Sequence, residues 1–428
     1  MNGNAIVSVM AWEALDSRGT PTVGCEVRLS GGAAGEALVP SGASVGTHEA
    51  HELRDGGERY GGRGVRQAVR NVMEILAPLA RGRDARDQQG LDDALRQGDG
   101  TLNLRRLGAN AVLAVSIASA RAAAAAEGVP LYRWLASGTE PLLPMPMVNV
   151  LSGGAHAGRA VDMQDFLVVP IGASSFGEAI EWAWRVRRAT AEVVTAHGLP
   201  ASLVADEGGM GPPLSSNRMA LDLLLAGIER SRLAPGTEVA IAIDVAATQF
   251  FASGRYRLSA DGRTLDAAAL LAELAGWCDE FPIVSLEDPL AEDDWQGWKD
   301  ATSLLGGRLQ LLGDDLFVTD LGRFERGLAA GVANAILVKP NQTGTLSGAR
   351  TIVERARRAG YAAVVSARSG DTEDAWLADL AVGWRAGQIK VGSLMRSERT
   401  AKWNRLLRIE QETGAPFAGG AALAGRAG

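Results

Sequence analysis

Ala335-Ile-Leu-Val-Lys339 is a run of four apolar residues closed by a lysine, in a chain of 428 residues that holds four lysines against thirty-nine arginines. The same shape, a short apolar run ended by a polar residue, recurs around it. It appears as Ala240-Ile-Ala-Ile-Asp244, Ile283-Val-Ser-Leu-Glu287, Leu309-Gln-Leu-Leu-Gly-Asp314, Ala362-Ala-Val-Val-Ser366 and Gln388-Ile-Lys390. The closing residues fall 43, 27, 25, 27 and 24 positions apart. A strand, a loop and an amphipathic helix such as residues 351–358 fill that length, so the chain from about residue 238 predicts repeated βα units of a parallel barrel. Functional side chains of such barrels stand at the C-terminal strand ends, where these polar residues lie.

Lysine at two of those ends carries a chemical signal. It is a compact ammonium whose pKa falls readily on burial, so it can act as a base, whereas arginine stays protonated. A chain that uses arginine almost everywhere else keeps lysine at 339 and 390, and Lys339 becomes the first candidate base. Asp244, Glu287 and Asp314 bring three carboxylates to the same mouth, the hard oxygen donors that Mg²⁺ prefers. This set suits removal of a weakly acidic proton beside a carboxylate, with the metal stabilising the developing charge. The same charges could instead neutralise one another as salt bridges around the mouth.

Toward the N-terminus, residues 6–30 alternate apolar and polar in strand fashion, and residues 62–80 and 107–127 have helical spacing, the latter with an alanine block of high helix propensity. They predict a smaller α+β domain over residues 1–138. Pro141, Pro144 and Pro146 mark the boundary, and residues 139–428 go to the barrel. The glycine-rich tail, residues 418–428, predicts disorder.

Composition narrows the partners. With 46% hydrophobic and 22% charged residues and a net charge of −7, there is no basic patch for nucleic acid. Cys25 and Cys278 are too few for a disulfide framework or zinc site, and fit a reducing cytoplasm. The first ten residues lack the basic and apolar regions of a secretion signal. Proline and glycine interrupt residues 141–158, and Arg121 cuts the alanine-rich run, so no membrane span is predicted. The glycines at 61–64 and 153–154 fit turns better than phosphate cradles.

Read together, these segments resemble enolase along roughly residues 6–415. The resemblance is carried by Leu15-Asp-Ser-Arg-Gly19, Val39-Pro-Ser-Gly-Ala-Ser44, Glu52-Leu-Arg-Asp55, Leu107-Gly-Ala-Asn110, Gly153-Gly-Ala-His156, Asp206-Glu-Gly-Gly209, Ser285-Leu-Glu-Asp-Pro289, Gly313-Asp-Asp-Leu316, Lys339-Pro-Asn-Gln342, Arg368-Ser-Gly370 and Gln388-Ile-Lys390. It implies an α/β fold with an enolase-type (β/α)8 barrel as the C-terminal domain and a smaller α+β domain before it. It further implies two Mg²⁺ sites, the tighter held by Asp244, Glu287 and Asp314 and the second involving Ser44. Lys339 then matches the base that takes the C2 proton, and Glu207 the acid that protonates the leaving C3 hydroxyl. Lys390, His156, Gln164 and Asp165 match groups around the substrate, and Arg368 with Ser369 the grip on its phosphate. A homodimer or higher oligomer and a small phospho- or phosphono-carboxylate substrate are expected on the same ground.

The chain leaves the family pattern inside this set. The usual Ser-His-Arg-Ser-Gly reads Ser366-Ala-Arg-Ser-Gly370, so Ala367 replaces an imidazole. Gln-Glu-Phe becomes Gln164-Asp-Phe166, Asn-Gly-Gly becomes Ser152-Gly-Gly154, Asp-Asn-Asn becomes Gly158-Arg-Ala160, and Gly-Gly-Phe becomes Gly208-Gly-Met210. Val45, Val391 and Thr343 also depart. Metal acids, base and acid remain while substrate-side residues change. That pattern resembles the specialised enolase paralogues that form carboxyphosphonoenolpyruvate in phosphinothricin-type antibiotic pathways. An ordinary glycolytic enolase and an inactive binding scaffold are the two other readings.

Overall fold

The computed structural model describes residues 3–42, 46–159 and 161–425. Three antiparallel strands open the chain, β1 (Ile6–Leu15), β2 (Pro21–Leu29) and β3 (Ala34–Leu38), with β2 in the centre. The predicted alanine-rich helix runs Ala109–Ala126 and packs on this sheet. A Cβ at Gly35 would lie 2.3 Å from Ala118 O and Ala122 N of that helix. Only glycine on the strand and alanine on the helix allow so close an approach. The helix is long and apolar enough to cross a bilayer, but 83% of it is buried inside the protein.

The helix predicted over residues 62–80 begins at Arg66. Tyr60 and Gly61 have φ of 50° and 59°, left-handed values that end any helix before it starts. Within it the turn Val72–Leu76 widens to a π-helix just before Pro78. Proline lacks an N–H and crowds the carbonyl four residues earlier, and a wider turn relieves both.

The second half closes an eight-stranded barrel of β4 (Met145–Ser152), β5 (Asp165–Val169), β6 (Ala240–Asp244) and, beyond a small hairpin sheet of β7 (Phe251–Ala252), β8 (Arg255–Leu258) and β9 (Arg263–Leu265), the strands β10 (Ile283–Glu287), β11 (Gln310–Gly313), β12 (Ala335–Val338), β13 (Ala362–Ser366) and β14 (Gly387–Gly392). From β6 onward the barrel strands are parallel and each of the six sequence runs forms one of them. β5 is the exception: it pairs antiparallel with both β4 and β6. Its first residue therefore faces the mouth, and register sets Asp165 beside Asp244, which in turn neighbours Glu287. The expectation of parallel βα units did not reach this reversed strand, because β4 and β5 are joined by a short loop that holds a 3-10 turn, Gly154–Ala157, in place of an α-helix.

The tail corrects the expectation of disorder as far as Gly425. Leu423 is 5% exposed and packs with Met145, Leu167, Leu312 and Leu337 in the barrel floor. Gln388 Nε2 donates to the Ala422 carbonyl at 2.9 Å. One leucine between small residues is a sufficient anchor when a barrel floor is open to receive it, which composition alone does not show.

Candidate active site

Strand ends deliver the acids, and two lysines tie them together. Lys390, on β14, donates from Nζ to Asp244 Oδ2 and to Glu287 Oε2, each at 2.7 Å. Lys339, just beyond β12, donates to Asp314 Oδ2, and Gln342 Nε2 reaches Asp314 Oδ1 at 3.1 Å. Gln164 Nε2 donates to Asp244 Oδ2 at 2.9 Å. All five charged groups are buried. Burial alone pulls Lys390 down, yet Asp244 and Glu287 together hold it well above the ordinary lysine range. Burial pulls Lys339 down as well, and Asp314 and Glu287 together keep it above its ordinary value.

Three carboxylates against two ammonium groups leave a negative charge uncompensated in a buried space. Burial, then repulsion from Asp244, pushes Glu287 well above the usual carboxylate range. Its Oε1 is buried without a hydrogen-bond partner. An orphan carboxylate oxygen among acids fits a hard cation, so the residues present suit Mg²⁺. Among the described residues, the carboxylate and imidazole atoms that lie within 4.8 Å of one another form two other groups, His156–Asp165–Glu207 and Asp288–Asp314–Asp315. Of the predicted metal acids only Asp314 falls in either, while Lys390 bridges Asp244 and Glu287. Asp288, at φ 40°, accepts the N–H groups of Asp314 and Asp315 and so fixes the loop that carries them. Ser44, expected at a second Mg²⁺, lies outside the described residues.

On the β4–β5 side, His156 Nδ1 meets Asp165 Oδ2 at 3.0 Å, and its Nε2 faces Glu207 Oε1 at 3.7 Å. Asp165 Oδ1 accepts from Ser152 Oγ at 3.0 Å and from Asn149 Nδ2. Burial would lower His156, but Asp165 and Glu207 raise it to about 9. Glu207 is pushed up by burial and pulled down further by His156, then Arg399, to a net lowering. Lys339 thus stands as an ammonium and Glu207 as a carboxylate, each in the opposite state to the one its expected role needs.

Arg368, expected to grip phosphate, is buried and bonds Glu49 of the N-terminal domain, Nη1 to Oε2 at 3.0 Å, and Asn341 Oδ1 at 2.9 Å. The chain just before Glu49 is tied down as well, with Thr47 Oγ1 donating to Glu292 at 2.7 Å. Behind Arg368 and Ser369, the helix Ser397–Thr413 supplies two buried cations. Arg399 donates to the carbonyls of Arg368 and Ser369 at 2.7 Å, and Lys402 to Asp371 Oδ1 at 2.7 Å and to the Thr372 and Glu398 carbonyls. The lysine scarcity that marked 339 and 390 also marks Lys402, whose three acceptors match the three hydrogens of an ammonium. Glu49 carried no comparable signal. Among the departures, Ser152, Asp165, Ala367 and Val391 are buried around the site, whereas Gly158 and Arg159 are exposed. Val45 and Ala160 lie outside the described residues.

Acids and lysines converging at the C-terminal ends of barrel strands, under a small α+β domain that inserts Glu49, define an acid–base enzyme of the barrel class. Residues 6–135 match the enolase N-terminal domain and residues 140–425 the enolase C-terminal TIM barrel domain. The chain belongs to the enolase family and is an enolase-type enzyme.

Proposed function

We propose that the protein forms an enolpyruvate product from a glycerate bearing a phospho- or phosphono-type group on its C2 oxygen, in the manner of the carboxyphosphonoenolpyruvate-forming paralogues. The observation that carries the specialised reading is the Ser152–Asp165 hydrogen bond, which joins two departures from the family pattern inside the site. Lys339, once deprotonated, accepts the C2 proton, and Glu207, once protonated, gives a proton to the leaving C3 hydroxyl. Lys390 and Arg368 hold the substrate anions, and Ala367 leaves room where an imidazole is usual. Asp244, Glu287 and Asp314 would hold Mg²⁺, which supplies neutralisation of their charge and electrostatic stabilisation of the developing enolate.

The test is Mg²⁺-dependent turnover of 2-phosphoglycerate, followed by enolpyruvate absorbance, beside the same assay on carboxyphosphono analogues. Preference for the analogues supports the proposal, and efficient turnover of 2-phosphoglycerate alone makes the protein an ordinary enolase. That second reading is favoured by the complete set of acids and lysines at the strand ends.

A further inference from the structure

The β4–β5 hairpin holds a linear chain of polar contacts that runs from Asn149 and Ser152 through Asp165 and His156 to Glu207. Asp165 is fully buried, and three side chains occupy its carboxylate: Asn149 and Ser152 at Oδ1, His156 at Oδ2. An ionised carboxylate has about four lone-pair sites, so little of it is left to meet a substrate. We propose that Asp165 acts through His156, fixing the imidazole with Nδ1 toward itself and Nε2 toward Glu207, so that Asp165 is a positioning residue and His156 loads Glu207 with a proton.

The proton step balances within the cluster. The N–H bond at His156 Nε2 breaks and an O–H bond forms at Glu207 Oε1, while the imidazolium becomes a neutral imidazole that keeps its proton on Nδ1 and donates it to Asp165 Oδ2. Because His156 holds its proton and Glu207 is kept ionised, the transfer goes together with C3–O cleavage: Glu207 hands the proton on to the leaving hydroxyl, which departs as water. The 3.7 Å gap has only to close on substrate binding, as such contacts commonly do. This supplies what an ionised Glu207 lacks, and it rests on the proposed role of Glu207 as the acid.

Ser152 and Asp165 are one device in this arrangement. A Cβ at Gly209 would stand 2.4 Å from Ser152 Oγ and 2.9 Å from Asn149 Nδ2, so the pocket is closed on that side. A longer carboxylate at 165 has nowhere to go except toward His156, and a longer side chain at 152 displaces the carboxylate. Each single change, Asp165→Glu or Ser152→Asn, should therefore disturb His156.

The experiment reads His156 directly, then the chemistry. The chain has four histidines, so the ring N–H resonances of the nitrogen-15-labelled protein can be assigned with His156→Gln. The wild type should show a slowly exchanging Nδ1–H for His156. Asp165→Asn turns a donor nitrogen toward Nδ1 and should abolish that resonance. On 2-phosphoglycerate, Asp165→Asn should lower kcat for product formation about 100-fold with KM changed less than about threefold. Exchange of the C2 hydrogen with solvent should persist, because Lys339 is untouched. A His156 resonance unmoved by Asp165→Asn, or a rise in KM with kcat unchanged, overturns the inference. If the wild type neither exchanges the C2 hydrogen nor makes product, the proposed reaction fails for that substrate, and the resonance still decides what Asp165 does.

Discussion

Glu49 crosses from the N-terminal domain to form a buried ion pair with Arg368 of the barrel, Oε2 to Nη1 at 3.0 Å. The guanidinium expected to take the substrate phosphate is therefore already shared with a carboxylate. Glu49→Gln should bind inorganic phosphate more tightly, by about tenfold for about 1.4 kcal/mol of removed competition, measured by calorimetry. The same variant should be less stable by about 3–5 kcal/mol, the usual result of breaking a buried pair.

Lys339 is held by Asp314, so removing its charge confounds chemistry with folding. Lys339→Arg keeps the charge but cannot serve as a base. It should retain a denaturation midpoint near that of the wild type while C2 exchange and product formation fall at least about 100-fold. Retained exchange would remove Lys339 from the role of base.

Glu287 carries the buried oxygen without a partner. In Mg²⁺-free buffer, Glu287→Gln should be at least as stable as the wild type, because it relieves repulsion from Asp244 while an amide oxygen still receives Lys390. The rise in thermal midpoint that millimolar Mg²⁺ gives the wild type should vanish in the variant. Undiminished stabilisation by Mg²⁺ would show that the ion binds elsewhere.

His156 gives a pH-dependent contribution of known sign. Its folded value, raised to about 9 against burial by Asp165 and Glu207, lies above the unfolded value of about 6.5. Stability from this group is then complete below about pH 6.5 and is lost as pH rises through about 9, to an extent of about 3 kcal/mol. Denaturant melts at the two ends of that window should differ more for the wild type than for His156→Gln.

Leu423 closes the barrel floor far from the mouth. Leu423→Ala should cost about 2–5 kcal/mol in denaturant melts and leave KM unchanged.

Much of the barrel was legible because its information is local: each apolar run and its closing polar residue form one strand and one end. The lysines, Asp244, Glu287 and Asp314 stood out for the same reason. What escaped was information held between distant segments. Glu49 looks like any loop acid until the N-terminal domain sets it on Arg368. The reversal of β5 leaves no trace in composition, and Leu423 gains meaning only when the floor is closed above it. The charge states of Lys339 and Glu207 were equally hidden, since they depend on side chains of other segments, Asp314 for Lys339 and His156 for Glu207.

The reversed strand has a consequence for how such an enzyme diversifies. Ser152, His156, Gln164 and Asp165 all lie within one β4–β5 hairpin, whereas the three strand-end acids come from β6, β10 and the loop after β11. A short contiguous cassette therefore governs the acid side of the site, and separate barrel units govern the metal side. Exchange of a single hairpin between relatives can retune the acid side while meeting the metal side only where Gln164 and Asp165 adjoin Asp244, a modularity that an all-parallel barrel, with each end on its own unit, does not offer.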